Sequence, residues 1–321
     1  MKKDIIRLMY KYGIISTASI TKRFIEGLRL AGDEVICVGS RDINKAKQFA
    51  NDNNINKYYG SYDEVYKDKE VDIVYIPVIN NLHYKCAKDA LLNKKHVVLE
   101  KPFTITPQEA SELYDLAKQN NCLLFEGVKN LFVPSTKFVK DNLNKLGKID
   151  NIITKQGTKK PFPEGHWMYD ASQGGGAYYG SAAYVYHYLC YLFNSEVTNL
   201  DGTFIPYDKS DLVCDFSFNL GNIKVNSTID LAKDLENTCI ISGELGKMII
   251  HEFWRSHNVE VILNNGNKYN FTDEGNEFVY EAKHIQECLD LGLIESPIIK
   301  KENSVEEVKN IDYLYKKWKL I

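Results

Sequence analysis

A chain of 321 residues has room for two domains, each with its own core, and 44% hydrophobic with 26% charged residues are ordinary globular proportions. The 40 basic and 43 acidic side chains leave a net charge of -3 and are interspersed, which argues against a nucleic-acid or membrane partner and for a small-molecule one. Seven cysteines form no C-x-x-C pair and no Cys/His cluster at metal spacing, so they read as free thiols of a cytoplasmic protein, with no metal called for.

The opening MKKDIIRLMYKYG lacks the apolar run and small-residue cleavage site of a signal peptide, and no stretch approaches a membrane span. Short apolar runs then alternate with amphipathic stretches: YGIIS, SITKRFIEGLRLAG, EVICVGS, INKAKQFANDNN, VDIVYIPV, LHYKCAKDALLNKK, HVVLEKP, TPQEASELYDLAKQNN and CLLFEG. This is the pattern of βαβ units around a parallel sheet buried on both faces. Thr106-Pro107-Gln108-Glu109 predicts a helix start, and Gly32 a helix end. Beyond about residue 150, strand-like runs separated by Gly and Asn turns predict a mostly antiparallel sheet, with helices near 175–194, 277–292 and 303–318.

The fold class is therefore α/β: a doubly wound, Rossmann-type parallel sheet, then an α+β domain with a large, mostly antiparallel sheet. The division falls at 1–126, the dinucleotide-binding domain, and 127–321, with the last helix free to pack back on the first.

Two places bear on a cofactor. After the first strand, Gly13 is followed by Ser16, Thr17, Ala18, Ser19 and Ile20 in place of a glycine-rich fingerprint. This loop suits either a pyrophosphate cradle built on small residues or an ordinary strand–helix turn. At the end of the second strand Ser40-Arg41 stands where an NAD site usually has a carboxylate. A hydroxyl beside a guanidinium suits a 2′-phosphate, the alternative being a solvated surface arginine.

The segment YIPVINNLHYKCAKDALLNKKHVVLEKPFTIT (75–106) resembles the signature of the Gfo/Idh/MocA oxidoreductase family: a strand, N-x-x-H, a helix, then G-K-H-V-x-x-E-K-P. Asn80, His83, Lys95, His96, Val97, Glu100, Lys101 and Pro102 match it. LFEGVKNLFVP, GGGAYYGSAAYVYH and IQECLDLGLIESP resemble further family segments, so the likeness spans nearly the whole chain. Small-residue first loops like this one are found in members close to the dimeric dihydrodiol dehydrogenases.

The resemblance implies an NAD(P)-dependent oxidoreductase, with NADP preferred, acting on a secondary alcohol or hemiacetal of a sugar, sugar derivative or cyclic diol. It implies that Lys101 polarises the reacting oxygen as acid and base, with Tyr184 exchanging a proton with the substrate hydroxyl. The cofactor wall would run through Pro77, Asn80, His83, Glu100 and Lys101, the last followed by a peptide bond that is often cis. It also implies that the second sheet is open-faced, that residues 127–321 are the substrate-binding and oligomerisation domain, and that a homodimer or homotetramer forms through this C-terminal sheet.

Three departures qualify it. Gly180 replaces an acidic residue four positions before Tyr184, Leu131 replaces an arginine, and Trp167 stands near where another arginine is expected. Either the pocket is less sugar-like, or the chain binds cofactor with impaired turnover, as a sensor or structural protein. His187, on the Tyr184 side of its helix, reads as a substrate contact or a structural histidine, and His166-Trp167 as pocket lining or a hydrophobic lid.

Overall fold

The apolar runs of the N-terminal half become strands because each residue type in them can be buried on either face. In the computed structural model, β1 (Lys11–Ile15), β2 (Glu34–Gly39), β3 (Lys57–Tyr59), β4 (Ile73–Ile76), β5 (His96–Glu100) and β6 (Leu124–Gly127) pair in parallel, in the order β3-β2-β1-β4-β5-β6. Residues 9–159 and 161–321 are described; residues 1–8, part of the segment searched for a leader, and Lys160 lie outside them. The strand order reverses between β1 and β4, so the carboxyl ends of these two flank the crevice where ligands bind doubly wound sheets. Three-residue β3 was not foreseen, being too short to show a period.

The helices between these strands are α1 (Ser19–Ala31), α2 (Ile43–Asp52), α3 (Tyr62–Lys67), α4 (His83–Leu92) and α5 (Pro107–Asn120). The expected ends are there. Gly32 closes α1 at φ +94°, and Thr106 with Glu109 forms a capping box on α5.

The second sheet comprises β7 (Ile149–Gly157), β8 (Val197–Tyr207), β9 (Ser210–Leu220), β10 (Ile223–Asp230), β11 (Thr238–Gly243), β12 (Gly246–His251), β13 (Asn258–Leu263) and β14 (Lys268–Thr272). Their order is β14-β13-β12-β11-β7-β10-β9-β8, antiparallel except for the β7–β10 pair. Leading into it is α6 (Pro134–Asn142), which the sequence reading passed over; α7 (Ala177–Phe193) lies against β9 and β10. Tyr178, Tyr179, Tyr186 and Tyr188 of α7 are fully buried; Tyr178, Tyr186 and Tyr188 pack with Phe216, Phe218 and Phe253, and Tyr179 stacks on Tyr315. Truncating one of these rings, Phe218→Ala for instance, costs roughly 3–5 kcal/mol by the usual measure of large core deletions.

The last two helices, α8 (Phe278–Asp290) and α9 (Lys301–Trp318), return to the first sheet. Contact between α8 and α1 is made by Phe278 edge-on to Phe24 at 5.5 Å and by Arg23 on the Glu277 carboxylate at 2.6 Å. A hydrogen bond of 2.9 Å between Ser304 and Tyr114 ties α9 to α5. Among the described residues no helix is long and apolar enough to cross a membrane.

Candidate active site

The β1–α1 turn is held by its backbone. Ser16 takes φ +114°, a conformation that normally calls for glycine, while its N–H reaches Gly39 O at 2.8 Å and its Oγ accepts from Ala18 N at 3.2 Å. Ala18 occupies the N-cap and offers no side-chain acceptor, and no acidic residue stands in the first turn. The first N–H groups of α1 therefore lie beyond the carboxyl end of β1 without a side-chain cap, a fit for a dinucleotide's pyrophosphate. Thr17 and Ser19 are in this turn, whereas the Ile20 side chain packs into the core. Gly13 corrects the sequence reading. It sits inside β1, where a Cβ would lie 2.6 Å from Val65 Cγ1, so its smallness serves the packing of α3 on the sheet rather than approach to a phosphate.

At the tip of β2, Ser40 is nearly buried and Arg41 is exposed. Asp42, the one carboxylate nearby in sequence, caps α2 by accepting from Asn44 N at 2.9 Å and Lys45 N at 3.3 Å. The cationic Arg41, exposed and next to the Tyr62 hydroxyl, is thus the charged side chain beside Ser40 where an adenine ribose lies in this fold class.

At the carboxyl ends of β4 and β5 the signature residues do different work. His83 is wholly buried with Nδ1 2.9 Å from Pro102 O and Nε2 3.1 Å from Val78 O. It joins the segment after β4, beyond Pro77, to the turn after β5; each ring nitrogen lies beside a main-chain carbonyl, and the single N–H of the neutral ring donates to one of them. Burial holds its imidazole below the usual histidine range, the two carbonyls opposing. Asn80 reaches across to donate to Gly174 O at 2.7 Å. Glu100 accepts from the Tyr75 hydroxyl at 2.6 Å, and the Lys101–Pro102 peptide is cis.

Three glycines lead into α7 because the chain there has no room for side chains. A Cβ at Gly175 would lie 2.2 Å from Trp167 O, and one at Gly176, where φ is +123°, 2.1 Å from Asp211 Oδ1. Asp211 accepts from Tyr178 N at 2.8 Å, fixing the first turn of α7. That placement carries Gly180 and Tyr184 to Lys101, whose Nζ donates to Gly180 O at 2.6 Å. A Cβ at position 180 would meet only the Met168 methyl, at 3.7 Å, so the missing acidic side chain leaves space on α7 beside Met168. Of the 166–169 turn it is Met168, not Trp167, that comes to Gly180.

A second lysine completes the group. Lys129, in the turn after β6, is buried and donates to the Tyr184 hydroxyl, its Nζ 4.5 Å from the ring centroid; Lys101 Nζ stands 4.6 Å from the same centroid. Sequence reasoning missed it, since nothing in GVKNLF distinguishes a buried lysine from a solvated one. Burial would lower the Lys129 ammonium, but Tyr184 and the Glu100 and Glu277 carboxylates leave it above the ordinary lysine value. Lys101 goes the other way: burial first, then the Lys129 charge, lower it to about 8. Burial raises the Tyr184 phenol above its usual range, with Lys129 partly opposing. The group that titrates near neutrality is therefore Lys101, with Tyr184 a protonated donor beside it.

His187 is not brought to this pair. Its Nε2 lies 3.2 Å from the Glu126 carboxylate, and it opens on a separate cleft that Leu131 also lines. The reading of His187 as a substrate contact is replaced by its structural alternative.

Residues 10–128 match the model of an oxidoreductase family with an NAD-binding Rossmann fold, Gfo/Idh/MocA. The chain is 30% identical over 315 residues to trans-1,2-dihydrobenzene-1,2-diol dehydrogenase of Xenopus laevis, covering 90% of this chain and 92% of that protein. In fold it is similar to a 3-ketoreductase from Actinomadura kijaniata in complex with NADP and TDP-benzene, at TM-score 0.84, 21% identity and coverage of 95% and 96%. It is likewise similar to levoglucosan dehydrogenase in complex with NADH and levoglucosan, at TM-score 0.86, 15% identity and coverage of 98% of both chains. With the dinucleotide turn, the Glu-Lys-Pro turn and the lysine–tyrosine pair in place, the chain belongs to the Gfo/Idh/MocA family of NAD(P)-dependent oxidoreductases.

Proposed function

We propose that this chain is an NADP-preferring dehydrogenase acting on a secondary alcohol of a cyclic diol or sugar derivative, with Lys101 as acid and base and Tyr184 as the hydrogen-bonding partner of the reacting oxygen. The observation that carries the reading is the lowered Lys101 ammonium, at about 8, held beside Tyr184 by the Gly180 carbonyl. The nicotinamide, when bound, accepts or supplies the hydride. Neutral Lys101 takes the proton of the substrate hydroxyl in oxidation and returns it in reduction, while Tyr184 orients the oxygen and Lys129 keeps the phenol in place. The bare Gly180, whose carbonyl meets Lys101, favours a less polar ring than a free sugar, in keeping with the diol in the name of the Xenopus relative.

Preference for NADP is supported by Arg41 beside Ser40 and by Asp42 being committed to its helix cap. The turn at 16–20 is the proposed pyrophosphate cradle, with Pro77, Asn80 and Glu100 around the nicotinamide side. The division at 126/127 assigns the dinucleotide to the first unit and the substrate to the second, whose eight-stranded sheet leaves Ile153, Ile205 and Tyr207 exposed for pairing with another copy. Seven free cysteines, six of them buried, suit a reducing cytoplasm.

The test is a panel of cyclic diols, sugars and sugar alcohols assayed by nicotinamide absorbance with NADP+ and NAD+. Turnover of diols above free sugars, with a higher kcat/KM for NADP+, is expected. Tight cofactor binding without turnover of any compound would instead make the chain a cofactor-binding member with lost catalysis.

A further inference from the structure

Away from the lysine–tyrosine pair the fold buries a second set of ionisable groups, drawn from β6, α7 and α9. One ligand atom from each of Glu126, His187 and Glu307 lies within 4.8 Å of the other two, and the residues are only 1%, 5% and 2% exposed. Glu126 is fixed: Ser304 donates to its carboxylate at 2.6 Å, and Ser304 is bonded to Tyr114 at 2.9 Å. Glu307 is not fixed, because neither of its oxygens has a hydrogen-bond partner. A buried carboxylate without a donor is costly. A Glu126 oxygen lies within 4.8 Å, so a proton held between the two carboxyls satisfies the empty site, and a dication would displace it. An apolar residue would satisfy the buried face of α9 better. A cleft of about 450 Å³ reaches His187 and Glu307, and its wall is of mixed charge, with Glu302 and Glu306 facing Lys140 and Lys300, so it gives an ion a polar way in.

We infer that Glu126, His187 and Glu307 form a binding site for a divalent cation of the zinc type, entered through this cleft. One imidazole and two carboxylates are a donor set suited to a first-row transition ion, with the fourth position open to water from the cleft. Around tetrahedral zinc the donor atoms stand about 3.4 Å apart. Glu307 closes the remaining distance by turning inward, which breaks no hydrogen bond, while Ser304 holds Glu126 in orientation. Glu126 and Glu307 also act electrostatically on Lys101, so a dication between them couples this site to the reacting one. The reading departs from the sequence analysis, which called for no metal, because its ligands are brought together only by folding.

The experiment is calorimetric titration of ZnCl2 into the full chain stripped with EDTA, in two buffers of different ionisation enthalpy, paired with thermal unfolding. Expected are one equivalent per chain, proton release, and a melting temperature raised by roughly 4–8 °C at saturating zinc. Glu307→Gln and His187→Gln should each weaken that equivalent by roughly tenfold or more. Glu307→Gln removes a buried charge and should fold at least as well without metal, which keeps the test informative if His187→Gln misfolds. Cys190→Ser, altering the one cysteine that lines the same cleft, should leave binding intact. No saturable equivalent below about 100 µM would overturn the proposal. So would binding unchanged in the Glu307 and His187 variants, which places zinc at outer pairs such as His251–Glu260, or binding lost in Cys190→Ser alone.

Discussion

Between Ile15 and Ser19 the chain makes the turn proposed to hold the dinucleotide from one short loop, whereas Lys101, Lys129 and Tyr184 reach one another from the ends of β5 and β6 and the middle of α7. The turn works through backbone N–H groups, so its side chains need only be small, and Ser16 and Ala18 stand where glycines are usual. The lysine–tyrosine group works through charge in a buried setting, where each member sets the protonation of the next. A substitution in the turn should therefore act locally, and one in the charged group should move its neighbours.

The largest test is Lys101→Met, expected to lower kcat by about 10²–10⁴ while leaving NADP affinity within a few-fold, since an acid–base group stabilises the transition state more than the bound dinucleotide. Retention of a tenth of the activity in steady-state assays would remove Lys101 from the chemistry.

Lys129→Met comes next. Removing this cation lets Lys101 hold its proton more easily, so the ascending limb of kcat/KM for alcohol oxidation, set by Lys101 near 8, moves to higher pH. At neutral pH the rate then falls by roughly tenfold or more, a pKa change of one unit being worth that factor. A pH profile that merely drops without moving would mean that Lys129 is a packing residue.

On the cofactor side, Arg41→Ala should weaken NADPH by roughly ten- to a hundredfold and leave NADH nearly unchanged, a charged hydrogen bond being worth about 1.5–3 kcal/mol. Fluorescence titration of both cofactors decides it; equal losses would take Arg41 out of the 2′-phosphate site.

The smallest effect is expected from Ser16→Gly. Relief of the positive φ is offset by greater freedom of the unfolded chain and by loss of the Ser16–Ala18 bond, so stability should change by about 1 kcal/mol or less, with cofactor affinity retained. A large loss of affinity by titration would show that the Ser16 hydroxyl, and not the backbone alone, serves the dinucleotide.

Much of this was legible in the sequence where the signal was local. The capping residues of α5, Gly32 and the apolar strands fixed element types because each acts within a turn or two of its own position. Lys101 and Tyr184 were singled out by family pattern, and the structure places them within reach of each other. The fingerprint reading misled at Gly13, whose size serves α3, and the family pattern gave no sign that the His83 ring lies between main-chain carbonyls.

By itself, then, the sequence determined the doubly wound first sheet, the antiparallel second one and the family, because periodicity, caps and a patterned motif are carried by neighbouring residues. Only the tertiary structure decided that Lys129 turns inward onto Tyr184, that Gly180 offers its carbonyl to Lys101, and that Glu126, His187 and Glu307 converge. Burial and charge coupling between distant segments belong to no single stretch of chain. They arise when β6, α7 and α9 pack together and exclude the water that would otherwise have screened each group.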